Sequence, residues 1–190
     1  LVSTNPAKNY EVVGMVDVST PNEIEQKVLS AQKAKTAWKE LGVAKRVEYL
    51  NRLYKKILAR KEEIIHLIIK ENGKSLKDAS SELDRYGKNY EWFLQNAEAS
   101  LKDEVTFEDD VSLHRIVYEP LGVTAVILPW NHPFGMFVWG VVPNLLAGNT
   151  VVLKHSEECP LTGKLLEEII QETNLPEGVF AEVYGDGEVG

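Results

Sequence analysis

One amide stands between two prolines in the run Pro129-Trp130-Asn131-His132-Pro133. An apolar stretch precedes it and an apolar helical one follows. The turn is therefore expected at the carboxyl end of a buried strand, where open α/β sheets bind their ligands. The Asn131 side chain can donate an N–H to an oxyanion developing there. The same residue type also simply forms turns. Lys154 and Glu157 follow the next strand-like run, TVVLK. A carboxylate in that position accepts hydrogen bonds from ribose hydroxyls. A lysine just before it can approach the same ribose or a 2′-phosphate. The plainer reading is a solvated ion pair.

Other reactive residue types carry weaker signals. Gly185-Asp186-Gly187-Glu188-Val189-Gly190 matches GxGxxG. It follows the third strand of the series rather than the first, so it is not the usual dinucleotide fingerprint in its usual place. Cys159 is the only thiol, beside Glu157 and Glu158. Negative neighbours suppress thiolate, which points to a structural role. His66, His114, His132 and His155 are not spaced as metal ligands. His66 and His114 are expected to pack, and His132 borders the Asn131 turn. Tyr86, Tyr90 and Phe93 form a helix-packing stripe.

The elements that must position these residues are legible in outline. YEVVGMVDV, residues 10–18, suggests a short strand pair around Gly14. Thr20-Pro21-Asn22-Glu23 starts a helix with a capping box, and Ile24, Val28, Ala31 and Trp38 recur along it. A second helix is expected from Val43 to Leu58. A third should run from Glu62 to Glu71 and stop at Asn72-Gly73. A fourth, long one carries Leu76, Leu83, Tyr86, Tyr90, Phe93, Ala97 and Leu101. Lys102 to Asp110 reads as a charged loop, and Val111 to Val117 alternates like a half-exposed strand able to pair with another subunit. From Gly122 the texture changes. GVTAVILP and TVVLK read as buried parallel strands, Phe134 to Leu146 as one apolar helix, Pro160 to Thr173 as an amphipathic helix, and VFAEVY as a third strand.

Helices first, then β-α-β-α-β, describe an α/β chain with a parallel, right-handed sheet. A sheet stopping after three strands, followed by an unfinished glycine turn, reads as truncated. Two parts are expected: residues 1–118, helical with one outlying strand, and residues 119–190, the first half of a nucleotide-binding sheet.

Composition narrows the class. The chain has 190 residues, 44% hydrophobic and 26% charged, as in an ordinary globular protein. Its net charge of −8 argues against nucleic-acid and anionic-membrane partners. No apolar run approaches the roughly 20 residues that span a bilayer, and the N-terminus lacks a secretory apolar region. One cysteine excludes a disulfide framework. A cytoplasmic location is expected.

EPLGV, PWNHP, LLAGNTVVLKHSE and LPEGVF with its glycine turn occur in the order and spacing of the aldehyde dehydrogenases. The chain resembles the N-terminal portion of that family along its whole length. His132 departs from the family's frequent Phe. LKHS resembles the succinate-semialdehyde dehydrogenase branch. The resemblance implies a Rossmann-like cofactor domain, truncated, with the catalytic domain absent. It implies an oxidoreductase converting an aldehyde to an acid with NAD or NADP through a cysteine thiohemiacetal. Asn131 would be the oxyanion donor. Ile127, Leu128, Pro129 and Trp130 would line the cofactor cleft, Lys154 and Glu157 would hold the adenosine ribose, and Gly187 would lie against the adenosine half. No metal is implied. Homo-oligomers, dimers or tetramers, are implied for the full-length protein. Glu157 favours NAD by repelling a 2′-phosphate. The family's cysteine nucleophile and glutamate base are not among these residues, so the chain alone is expected to be inactive. The alternative is a non-catalytic nucleotide-binding or subunit-interaction module.

Overall fold

The computed structural model describes all 190 residues. A small antiparallel ribbon comes first, β1 (Val2–Asn5) with β2 (Glu11–Met15). The strand pair anticipated within residues 10–18 is therefore one strand of a ribbon whose partner lies nearer the N-terminus. Asn9 and Tyr10, both at positive φ, turn the chain between them.

Four helices follow: α1 (Pro21–Glu40), α2 (Gly42–Ala59), α3 (Lys61–Asn72) and α4 (Leu76–Ser100). The expected capping box starts α1. The Thr20 hydroxyl accepts from the Glu23 N–H at 3.3 Å, and the Glu23 carboxylate accepts from the Thr20 N–H at 2.7 Å. Gly73, at φ 68°, ends α3. The stripe expected on α4 is buried at Leu83, Tyr86, Tyr90 and Ala97, whereas Leu76, in the first turn, is exposed.

Lys102–Asp110 is not a loop. Its centre is β3 (Glu104–Glu108), paired antiparallel with β4 (Leu113–Ile116). Charge hid the strand, because neither face of this ribbon packs on the body and every residue of both strands is exposed. His114 accordingly does not pack in a core. Its ring sits 5.3 Å from that of Phe107 on the exposed ribbon.

The remainder alternates β5 (Val123–Ile127), α5 (Pro133–Gly140), α6 (Val142–Ala147), β6 (Thr150–Lys154), α7 (Pro160–Gln171) and β7 (Phe180–Val183). The three strands form a parallel sheet in the order β5-β6-β7. That order corrects one expectation. Only central β6 is buried throughout, while edge strand β5 leaves Ala125 and Ile127 exposed. The single helix expected over Phe134–Leu146 is two, α5 and α6. Pro143 has no N–H to continue the ladder, and the break falls around Val141.

Helices cover both faces of the sheet. Ala31 of α1 packs against Val152 and Val183, and the Thr150 hydroxyl donates to the Ala31 carbonyl at 3.1 Å. On the other face Val151 and Leu153 join a core that includes Leu50 and Ile57 of α2, Ile68 of α3, Tyr90 of α4, and helices α5 to α7. Arg46, buried, ties this layer together. It donates to the carbonyls of Leu146 and Lys39, each at 2.9 Å, and so joins the ends of α6 and α1. No helix is long and apolar enough to cross a membrane.

The two crossover helices that leave the carboxyl edge begin without caps of their own. Pro133 and Pro160 open them, and the residues before are His132 and Cys159, which make no side-chain cap. Buried carboxylates from the helical layer close them instead. Glu82 of α4 accepts from the N–H groups of Phe134 and Gly135 at 3.0 and 3.1 Å. Glu71 of α3 accepts from Leu161 and Thr162 N–H at 2.9 and 2.7 Å, and from the Thr162 and Ser3 hydroxyls at 2.6 and 2.7 Å. A carboxylate at a helix N-terminus also meets the positive end of the helix dipole.

Glu71→Ala is expected to strand these buried donors and to lower unfolding free energy by at least about 2 kcal/mol. A urea midpoint shift at unchanged m-value measures this.

Candidate functional site

The turn carrying Asn131 is fixed from both sides. Leu128 N–H donates to the Lys154 carbonyl at 3.0 Å, extending the β5–β6 pairing past Ile127. Asn72, at the end of α3, donates its side-chain N–H to the Trp130 carbonyl at 2.6 Å. The His132 carbonyl accepts from Met136 N–H at 2.8 Å, and Glu82 holds the next two amides. α5 then lies hard against α4. A Cβ at Gly135 would fall 2.3 Å from the Tyr86 ring. Asn131 itself is exposed, and its amide takes no part in the bonds that hold the turn. A rigid loop thus presents a free amide at the carboxyl end of β5.

Lys154 ends β6 directly beside Ile127, its register partner. Its side chain is only 6% exposed, so the ammonium is held rather than free. Nζ donates to the His155 carbonyl at 3.3 Å and lies 3.6 Å from the Glu157 carboxylate, whose side chain is 41% exposed. Glu157 therefore offers acceptor oxygens toward solvent, with a positive charge anchored behind them. The last glycine of the terminal turn rests on the same edge. A side chain at Gly190 would meet Lys154 Cδ at 3.3 Å and Ile127 Cδ1 at 3.5 Å. Gly187 is exposed with no atom near its missing Cβ, and Gly185 is buried against Val189.

Behind Lys154 lies a buried acid–base pair. His155 Nδ1 is 2.7 Å from Glu182 Oε1 of β7, and both side chains are inaccessible. Burial alone would push His155 down, but the adjoining Glu182 carboxylate outweighs it and holds the imidazole above its ordinary value. Burial pushes Glu182 above the usual carboxylate range despite His155. The two directions agree on one point: the pair keeps its shared proton. Burial, then the charges of Glu71, Glu182, Glu82 and Glu158, push the Cys159 thiol far above its ordinary range. The sequence pointed to the local acidic neighbours, whereas desolvation is the main cause.

The parallel register brings Ile127 and Lys154 together, with Glu157 beside Lys154, and ends β5 and β6 side by side below the Asn131 turn. Trp130 and Pro129 are exposed on that turn. Leu128 turns its side chain into the core and contributes only its backbone to the edge. Gly187 is not drawn to Lys154. Asn72, Glu71, Glu82, His155 and Glu182 escaped sequence reading as parts of this region. A signal for two of them existed. Each crossover helix opens with proline and no capping residue, so its cap had to come from elsewhere in the fold. No cluster of three or more His, Cys, Asp or Glu side chains is arranged to hold a metal ion.

Known proteins share this fold. The model of the aldehyde dehydrogenase family matches residues 1–190. The chain is 35% identical over 185 residues to an alpha-ketoglutaric semialdehyde dehydrogenase of Bacillus subtilis strain 168, covering 97% of this chain and 38% of that protein. HpcC from Thermus thermophilus superposes with a TM-score of 0.92 at 32% identity, over 99% of this chain and 36% of that one. PnpE, solved in complex with nicotinamide adenine dinucleotide, superposes with a TM-score of 0.91 at 28% identity, over 99% and 38%. The chain spans 38% of the length of its Bacillus subtilis relative.

Cys159 is expected to resist a thiol-reactive disulfide reagent at pH 8 in the folded protein and to react fully in denaturant. Rapid reaction without denaturant, followed by absorbance, would contradict the buried, protonated assignment.

Proposed function

The chain belongs to the aldehyde dehydrogenase family, and on that premise we propose that it supplies the cofactor edge and the oxyanion donor of an NAD(P)-dependent oxidation of an aldehyde to a carboxylic acid. The observation that carries the reading is the joint ending of β5 and β6. It brings the turn that carries Asn131 and the Lys154–Glu157 pair to the same carboxyl edge of a parallel sheet, which supports the reading.

The residues present fit a dinucleotide. Glu157 offers carboxylate oxygens, which accept from ribose hydroxyls, and Lys154 supports them from behind. Ile127 and Trp130 give exposed apolar surface along the same edge, continued by the Pro129 and Leu128 backbone. Gly187 is proposed to complete the cleft; it is exposed, with open space where a side chain would stand. A nicotinamide held along this edge would supply the hydride acceptor for the oxidation. Asn131 donates its N–H to the oxygen that becomes negative as a thiolate adds to the aldehyde, lowering the barrier by electrostatic stabilisation. Cys159 does not supply that thiolate, because it is buried and protonated. The nucleophile, and the base that activates water, come from outside these residues.

Glu157 beside the ribose favours NAD, since its charge opposes a 2′-phosphate while Lys154 offsets only part of that. Among aldehydes we favour a semialdehyde bearing its own carboxylate, succinate semialdehyde first. The LKHS segment and the similarity to a semialdehyde dehydrogenase of Bacillus subtilis support this. We propose residues 1–118 and 119–190 as the helical and sheet portions of the cofactor domain. The exposed β3–β4 ribbon, with Val105, Phe107, Leu113 and Ile116 uncovered, supports a homo-oligomer in which the ribbon finds a partner.

In the full-length enzyme Asn131→Ala is expected to lower kcat by about 10²-fold or more with little change in cofactor affinity. Equal kcat would remove Asn131 from the mechanism. Glu157→Gln is expected to weaken NAD binding and to raise the NADP-to-NAD preference severalfold, measured as the ratio of Kd values by calorimetry. The 190-residue chain by itself is expected to oxidise no aldehyde, and turnover by the purified chain would overturn the assignment of Cys159.

A further inference from the structure

The His155–Glu182 pair is not explained by capping, packing or cofactor contact, and it sits where three segments meet. His155 lies between Lys154 and Glu157, the residues proposed to hold the ribose. Its Nδ1 faces Glu182 Oε1 of β7 at 2.7 Å, and its Nε2 faces the Pro133 carbonyl at 3.4 Å. Pro133 is the first residue of α5 and follows the Asn131-His132 turn. One imidazole ring thus spans from the neighbouring strand, through the cofactor segment, to the base of the oxyanion turn.

The fold makes room for this pair at some expense. α7 carries glycine at position 163, where a Cβ would fall 2.2 Å from Glu182 Oε1 and 2.8 Å from His155 Nδ1. Glu182 leaves its second oxygen, Oε2, buried without a partner. An unpaired buried carboxylate oxygen costs free energy, so a merely space-filling role would be met better by an apolar pair.

Proton accounting shows what the pair can do. The Pro133 carbonyl only accepts, so Nε2 must carry a hydrogen to bond it. The short Nδ1–Oε1 contact then needs one further proton, on the imidazole or on the carboxyl. With both protons present the ring is held at each end. Removing either partner frees one end.

We infer that His155, held by Glu182, is a positioning residue that couples the cofactor-binding Lys154–Glu157 segment to the Asn131 turn, so that ribose binding and oxyanion stabilisation share one rigid support. The inference rests on the function proposed above and deepens it. Small misplacements at such supports act strongly on rate. Coupling also predicts a signature that separates this residue from its neighbours. Glu157 variants should act on cofactor affinity, Asn131 variants on kcat, and His155 variants on both at once.

The test uses the full-length enzyme, with NAD as the titrated ligand, Kd from calorimetry, and kcat per folded molecule. His155→Ala is expected to weaken NAD binding and to lower kcat, each by about tenfold. Glu182→Ala should do the same more mildly. Glu182→Gln should restore most of the loss, because its amide can donate to Nδ1 while Nε2–H keeps the Pro133 carbonyl. A lowered melting temperature with NAD Kd and kcat both at wild-type values would overturn the inference. If His155→Ala does not fold, the Glu182→Ala and Glu182→Gln pair decides: loss with rescue supports the coupling, and equal, unaltered parameters overturn it. Glu157→Ala, run alongside, reports on the parent reading. If it leaves NAD affinity unchanged, the cofactor-edge assignment fails independently of what His155 does.

Discussion

Two buried carboxylates, Glu71 and Glu82, close the N-termini of the crossover helices, and the rest of the molecule is arranged around that constraint. Helices that begin at the carboxyl edge of a parallel sheet turn their unpaired N–H groups toward the region a ligand must reach. Here the first turns of α5 and α7 lie under α3 and α4, away from solvent, so water cannot satisfy them. Each carboxylate collects several donors at once: four for Glu71, and two amides plus the Lys74 ammonium for Glu82. A buried charge held by that many donors is tolerated where an isolated one would not be. The helical layer and the sheet layer are thereby locked at the edge that carries the candidate residues, and they share one hydrophobic core.

The position of each candidate residue follows from this lock and from the strand order. β6 is central, so its last residue, Lys154, is buried and fixed, while Glu157 emerges at the start of the next turn. β5 is an edge strand, which leaves Ile127 exposed and lets the following turn project from the sheet. Asn72 and Glu82 then clamp that turn on either side of Asn131. The result is a free amide on a restrained backbone, which is what electrostatic preorganisation requires. The single cysteine, Cys159, is buried by the same packing, and that burial pushes its thiol far above the ordinary range.

Much of the fold was legible because it was written in local chemistry. The capping box at Thr20 and Glu23, the glycine stop after Asn72, and the apolar runs of β6 and α7 each act within a few residues of their cause. The failures have equally definite origins. β3 was hidden because its strand character comes from pairing with β4, not from a buried face. The split between α5 and α6 was concealed by a continuous apolar run that gave no weight to Pro143. β5 read as a buried strand, yet Ala125 and Ile127 are exposed, because an apolar run does not reveal sheet order and β5 lies at the edge of β5-β6-β7.

The candidate site divides along the same line. By residue type and spacing, the sequence alone marked out the Asn131 turn and the Lys154–Glu157 pair, and its motifs carried the resemblance to the family that the comparisons bear out. Those features are contiguous, and their chemistry depends on order along the chain. Only the tertiary structure decided that Lys154 is buried, that Leu128 faces the core, that Gly190 rather than Gly187 lies against Lys154, and that His155 meets Glu182. Those outcomes depend on strand order and on which distant helix lies over which edge. Glu71 and Glu82 stand 90 and 52 residues from the first amides they bind, and no local pattern carries information across such gaps.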